Sequence, residues 1–402
     1  MPANASEPGA HLARLGVFWL GIQAVWGAIL AISLQARTIE LGGARAILAF
    51  GLVSVTGAGV AAIVQIASGV LSDRRRARGG DRVAFYVAGA AIGSVGILWF
   101  YLAPTFVQLI AGYALVQLGL NVAMGAYQAI IPDAVLAERT GRASSWMAGL
   151  QSVGNAIGAI VATLVADARV VAGALVALLL ATCAATSTNL RLRPLPSADA
   201  SVRRAPPSKT YIDLFVSRLL LYAGFYTLVD YLYFYVVVAM PGAGSSRVKL
   251  VTGIALLTFT ACGAIGALVA ARPSDGADKR LVVSLGGASF AVAMVCLIAS
   301  GGVPALEVVA GCAGAAWGVV LAADWALACR MLPGRTMATA MAVWNLAVLL
   351  AQIAAPALTS AVLGRASILG PPAPRLAFAV AALLILAGIA WIWRLPKGFA
   401  RE

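Results

Sequence analysis

An all-helical membrane protein of twelve spans, arranged as two pseudo-symmetric six-helix bundles, is the fold class this sequence predicts. Three observations predict it. Hydrophobic residues make up 61% of the 402-residue chain and charged residues only 11%, against about 25% charge in ordinary globular domains. The apolar residues fall into twelve runs, each long enough to cross about 30 Å of hydrocarbon. The lysines and arginines collect in alternate connections between those runs.

Taken in order, the runs cover 14–38, 46–72, 82–103, 105–131, 142–166, 169–190, 211–240, 248–271, 281–301, 305–331, 336–363 and 375–394. The first follows a short polar leader and is too long and too poorly flanked for a cleaved signal peptide. The second ends in the densest charge of the chain, where Gly69 to Arg82 carries Asp73, Asp81 and five arginines. An even number of spans puts both termini on one side. If that side is the cytoplasm, the inner loops hold 21 of the 29 basic residues and the outer loops 7, with Arg218 left inside span seven. That asymmetry orients the chain with both termini cytoplasmic. Between spans six and seven, Arg191 to Thr210 is rich in proline, serine and basic residues and reads as a linker. It divides the chain into an N-terminal half (1–190), the linker (191–210) and a C-terminal half (211–402). The halves echo one another: Gly141-Arg142 opens span five as Gly334-Arg335 opens span eleven. The turn expected after span eight, Gly266 to Arg280, stands where the first half has its arginine-rich turn. Paired halves of this kind suit alternating access around a midplane site.

Several function classes are excluded by what the chain lacks. The single histidine, His11, lies near the N-terminus, and Cys183, Cys262, Cys296, Cys312 and Cys329 have no C-x-x-C spacing, so neither a zinc site nor a disulfide framework is indicated. The cysteines read as small buried apolar residues. No phosphate-binding P-loop and no catalytic constellation is present, so an enzyme is not expected. The net charge of +14 serves topology and anionic lipid rather than nucleic acid, because it sits in the inner loops. High alanine, glycine and arginine content points to a GC-rich bacterial genome and the inner membrane. The loops leave no room for a receptor domain, and a monomer contacting lipid and a small-molecule solute is expected.

Gly69, Asp73 and Arg74 fit the pattern G-x-x-x-D-R/K-x-G-x-R/K, and on these residues the chain resembles the major facilitator superfamily of transporters. Ser72, Asp73, Arg74, Arg78, Gly80 and Arg82 extend the likeness to the glycoside-pentoside-hexuronide and plant sucrose-transporter branch, with Asp81 in place of an arginine. A second stretch, Asn121, Gly125, Ala129 and Asp133, is similar to that branch's span-four pattern. The resemblance implies the major facilitator fold, a cavity lined by spans one, four, seven and ten, and a gate motif formed here by Gly69, Asp73, Arg74, Arg78 and Gly80. Two departures bear on mechanism. Where the branch has an aspartate tied to proton coupling this chain has Gln117, and where it has an arginine this chain has Gln128. At the gate, Asp73 is expected to accept hydrogen bonds from the start of span eleven, near Gly334 to Met337, while pairing with a loop arginine.

A charge deep in a span costs about 2.5–3.5 kcal/mol even on insertion scales, so each one needs a reason. Asp230 shares a helical face with Tyr222, Tyr226 and Tyr233, a combination of phenols and carboxylate that suits a sugar; the alternative is an aromatic belt at the outer interface. Asp324 lies beside Trp325 and two turns after Trp317. It reads as a proton or sodium carrier, a cation ligand, or half of an ion pair with Arg330 or Arg218. The uncharged candidates are Gln23 and Trp26 in span one, Asn121, Tyr127 and Gln128 in span four, Gln151 and Asn155 in span five, and Asn345 and Gln352 in span eleven. Interhelical hydrogen bonding is the competing role for each of them. Gly149, Gly154 and Gly158 read as close-packing positions. No organic cofactor or metal is expected, and the coupling ion would be H+ or Na+. The sequence thus points to a secondary transporter of a small polar solute, a sugar or glycoside, with a drug or metabolite exporter as the alternative and a polytopic membrane enzyme behind both.

Overall fold

The computed structural model describes residues 9–130, 133, 140–192, 208–276, 278–299, 303–331, 337–366 and 373–396. Among these residues every regular element is a helix. Helix α1 runs as Gly9–Ala28, a π-helical turn Ile29–Ser33 and Leu34–Gly42. It is followed by α2 (Ala46–Ala77), α3 (Val83–Leu102), α4 (Phe106–Tyr127), α5 (Thr140–Leu164) and α6 (Ala168–Leu192). The second half holds α7 (Ser208–Ala239), α8 (Ser245–Gly276), α9 (Lys279–Ala299), α10 (Val303–Met331), α11 (Met337–Ala366) and α12 (Ala373–Ile392). Eleven of them have stretches long and apolar enough to cross a membrane, and α5 contributes a shorter apolar stretch, Gly149–Leu164. Residues 193–207 of the expected linker, together with Gly334 and Arg335, lie outside the described residues.

Local chemistry sets several helix ends. The Thr105 hydroxyl accepts from the Gln108 N–H and caps α4, while the Asp167 and Asp278 carboxylates accept from the N–H groups of Arg169 and Arg280 at the starts of α6 and α9. The arginine-rich segment is shorter as a loop than the sequence suggests. Helix α2 continues through Arg74, Arg75 and Arg76 in its last turn, where cations complement the carbonyl end of the helix dipole. The chain reverses only at Gly79, whose φ of 80° favours glycine. Likewise α8 runs to Gly276, so most of the turn expected from Gly266 to Arg280 is helix.

The helix contacts repeat with a shift of six. In the first half α1 packs on α5 and α6, α2 on α4, and α3 on α4 and α6; in the second half α7 packs on α11 and α12, α8 on α10, and α9 on α10 and α12. The halves meet through α2 with α11 and α5 with α8, two contacts that exchange under the same shift. Such repetition is the structural form of two pseudo-equivalent bundles. Small residues allow the close approaches: a side chain at Gly89 or Gly96 of α3 would run into the α4 backbone, and one at Gly57 of α2 would run into Tyr113. Gly154 and Gly158 pack against Leu20 and Ala24 of α1 as expected, but Gly149 faces open space. Large apolar side chains such as Ile63, Val107 and Val269 point outward, as lipid-facing positions do. The cysteines follow this division rather than the expectation of burial. Cys183 is buried, whereas Cys296 and Cys312 are exposed on the outer helix faces.

Candidate functional site

The end of the molecule that carries the arginine-rich turn, here the basic end, is held by a buried cluster. Arg82, immediately before α3, places Nη2 2.9 Å from Asp73 Oδ1. It donates from Nε to Asp133 at 2.7 Å and from Nη1 to the Ser72 hydroxyl at 2.6 Å. Burial works against the guanidinium charge, but Asp133 and then Asp73 outweigh it, and the arginine is held charged above its ordinary range. The gate motif is thus organised around Arg82 rather than around Arg74 or Arg78, whose side chains are exposed. Gly69 has a packing role, since a side chain at Gly125 of α4 would come within 3.1 Å of its backbone nitrogen. Gly80 lies against Arg75, which also donates to the Asp81 carbonyl. The pairing of Asp73 with a loop arginine is present; its expected partner at the start of α11 falls partly outside the described residues.

Inside the first half, α4 carries a neutral polar ladder. Gln117 Nε2 donates to the Tyr113 hydroxyl at 2.8 Å, and Asn121 Nδ2 donates to the Gln117 carbonyl and side-chain oxygen at 2.8 and 3.0 Å. All three residues are buried, and Asn121 Oδ1 has no partner. Tyr127, expected to line the site, does not join it. Its hydroxyl donates to the Leu15 carbonyl at 2.5 Å and its ring packs among Phe18, Trp19 and Tyr86. Gln23 and Trp26 of α1 are half-buried, as is Gln128 at the end of α4, whose Oε1 is unpartnered. In α5, Gln151 is half-buried and Asn155 exposed, its backbone carbonyl lying against Gly27.

The second half concentrates charge on one stripe of α7, where Arg218, Tyr222, Tyr226 and Asp230 follow at intervals of four and so share a face. Arg218 Nη1 lies 2.8 Å from Asp324 Oδ2 of α10, both side chains being buried. The guanidinium sits between Trp344 of α11 and Tyr222, 4.3 and 4.9 Å from their ring centres. The Tyr222 hydroxyl donates to the same Asp324 oxygen at 3.4 Å. Of the three roles open to Asp324, pairing with Arg218 is the one the geometry realises. The Tyr226 hydroxyl accepts from Gln352 Nε2 at 2.8 Å. Asp230 is buried and has no hydrogen bond or ion pair among the described residues; the side chains close enough to feel its charge are Tyr226, Tyr231 and, from the other half, Tyr113. Tyr231, Tyr233 and Tyr235 are themselves buried, so they form protein contacts rather than a surface belt.

Two contacts join the halves around this stripe. Asn345 of α11 donates to Gln65 Oε1 of α2 at 3.1 Å, leaving the Gln65 amide nitrogen buried and unpartnered. At the end opposite the basic one, Phe50 of α2 meets Tyr231 and Phe234 edge-on. Gln65 and Arg218 were not anticipated as site residues. A signal existed for each: a glutamine within an apolar run, and a lone arginine that no loop could claim.

Among the described residues, twelve helices form two repeated bundles with polar side chains turned inward, an architecture that suits a solute transporter. The family model described as Major Facilitator Superfamily matches residues 15–356, and the chain belongs to that family. A comparison with curated proteins found no match. Among solved structures, a D-xylose-proton symporter superposes with a TM-score of 0.69 at 15% identity, covering 97% of this chain and 98% of the other. A bacterial homologue of the human lysosomal transporter Spinster, inward-facing and unoccupied, gives 0.66 at 15% identity over 98% and 97%. At such identities the likeness is one of fold.

Proposed function

We propose that this protein is a secondary transporter of a small polar organic solute, a sugar or glycoside, which works by rocking the two halves about the contacts of α2 with α11 and of α5 with α8. The observation that carries the reading is unfilled hydrogen-bonding capacity at buried positions of α2, α4 and α7: the Gln65 amide nitrogen, Asn121 Oδ1 and the Arg218 Nε and Nη1 atoms, none of which has a hydrogen-bond partner among the described residues. Buried polar atoms are normally satisfied, and a hydroxylated solute is a partner that can come and go. Aromatic faces beside them, Tyr222, Tyr226 and Trp317, suit the C–H faces of such a solute.

Coupling to protons is favoured by Asp230. A carboxylate buried without a counter-ion is costly when charged, so it holds a proton or a cation whenever it is closed off. It lies one residue before Tyr231, which meets Phe50 at the contact that closes the far end. Parting that contact would wet the carboxylate and let it ionise. On the basic-residue asymmetry the far end faces outward and both termini face the cytoplasm of a bacterial inner membrane. The exporter reading draws on the Phe225 and Trp317 rings, stacked at 4.5 Å, as a wall for an apolar solute.

The deciding experiment is uptake of labelled mono- and disaccharides into proteoliposomes with and without an inward proton gradient, for wild type and Asp230→Asn. Gradient-driven accumulation is expected in the wild type. The variant should lose accumulation while still exchanging solute at equal concentrations. Absence of uptake of every sugar would reject the sugar reading in favour of export.

A further inference from the structure

Arg218 is the arginine set within the membrane span of α7, about 15 Å along the helix from its start, and its coordination is incomplete. Its side chain is 4% exposed, and Nη1 approaches Asp324 to 2.8 Å, yet neither Nη1 nor Nε has a hydrogen-bond partner among the described residues. The contact is therefore a one-point ionic approach in which the N–H bonds aim elsewhere. A guanidinium presents its donors as a flat fork that matches a carboxylate two bonds at a time. Trp344 and Tyr222 flank it and fix its orientation. Asp324 in turn shares its Oδ2 with the Tyr222 hydroxyl, so the resident counter-ion leaves the fork largely unused.

We propose that Arg218 receives a carboxylate of the transported solute, which makes the solute an acidic sugar or another small organic anion. This inference rests on the transporter reading and narrows its substrate. In this structure Asp324 balances the charge of Arg218. A solute carboxylate accepting from the free Nε–H brings a second negative charge to one positive one in a region of low dielectric. The balance is restored when Asp324 takes up one proton from water, forming an O–H bond and breaking none within the protein. Arg218 acts on Asp324 through its charge and Tyr222 through its hydrogen bond; Tyr211 and Tyr226 face Arg218 from the same helix, and α11 contributes the uncharged Trp344.

The test is binding to purified full-length protein, read by tryptophan fluorescence and by proton uptake in weakly buffered solution. The probes are acid and neutral pairs: glucuronate and glucose, lactate and propane-1,2-diol, benzoate and benzyl alcohol. The wild type should prefer at least one acid over its neutral partner by more than about tenfold, as a charge-assisted hydrogen bond to a buried guanidinium allows, and take up one proton per acid bound. Because Arg218→Gln alone leaves Asp324 buried and unpaired, the informative variant is the double one, Arg218→Gln with Asp324→Asn, checked for folding by its melting transition. There the preference should fall to near parity and proton uptake should vanish. No preference for any acid in the wild type, or a preference that survives in the folded double variant, overturns the proposal. Solute exchange in proteoliposomes separates the two readings. Exchange of neutral solutes without acid preference removes the anion site but keeps the transporter, whereas acid preference without exchange does the reverse.

Discussion

The two halves share one fold but bury polarity in opposite ways. Apart from the Arg82 cluster at its basic end, the first half uses neutral groups that bond one another within a single helix, Tyr113, Gln117 and Asn121 at intervals of four on α4. The second half uses ions that meet across helices, Arg218 of α7 with Asp324 of α10, and adds Asp230 with no counter-ion among the described residues. A ladder inside one helix survives any rigid movement of that helix. An ion pair across two helices, or a lone carboxylate beside the seam, changes its energy when helices part or water enters. The first half therefore supplies a fixed polar wall, and the second half supplies the groups whose charge can answer to solute and to gate position.

That contrast is open to direct attack. The largest effect is expected from Arg218→Met, which strands Asp324 in the interior and should cost about 3–5 kcal/mol, while the paired change Arg218→Met with Asp324→Leu should lie close to wild type. Denaturation of the purified variants checks this, and equal losses for the single and double changes would break the comparison. Next comes Arg82→Met, which removes the cation shared by Asp73 and Asp133 and should cost about 2–3 kcal/mol in the same measurement. Gln117→Leu should cost about 1 kcal/mol or less, as interhelical and membrane hydrogen bonds usually do. A loss as large as that of Arg218→Met would show the neutral ladder to be no softer than the ion pair. Asp230→Asn should change stability by less than about 1 kcal/mol, since the folded carboxylate is expected to be neutral already, so its effect should be confined to gradient-driven transport.

The smallest effect concerns pH at the basic end. The folded value of Arg82 is raised above its ordinary one, so its stabilising contribution is complete below the unfolded value and is lost only as pH climbs through the folded one. Both lie far above neutrality, and the melting difference between wild type and Arg82→Met should stay flat from about pH 6 to pH 9. A difference that shrank across that interval would mean that the arginine is not the group holding the cluster.

Much of this was legible in the sequence, and the failures have physical reasons. Asp230 and Asp324 stand out because a charge in an apolar run is expensive wherever the helix points. Asp73 was readable from its motif, but the choice of Arg82 over Arg74 was not. Choosing between them requires knowing that α2 continues to Ala77 and where α4 then brings Asp133. Tyr127 looked like a cavity residue because a phenol in span four fits one, yet its hydroxyl is used on the Leu15 carbonyl of α1. Gln65 went unnoticed since nothing near it in the chain marks it; its partner Asn345 is 280 residues away.

What the sequence by itself determined is the number of helices, the helical class, the membership of a transporter superfamily and the short list of charges that must be explained. These follow from sums over many residues, in which hydrophobicity accumulates along each span and arginines accumulate in alternate loops. Only the tertiary structure decided which of those charges are paired. Pairing depends on a few ångströms between helices distant in sequence, and in a low-dielectric interior that distance separates a neutralised arginine from an aspartate left without a partner.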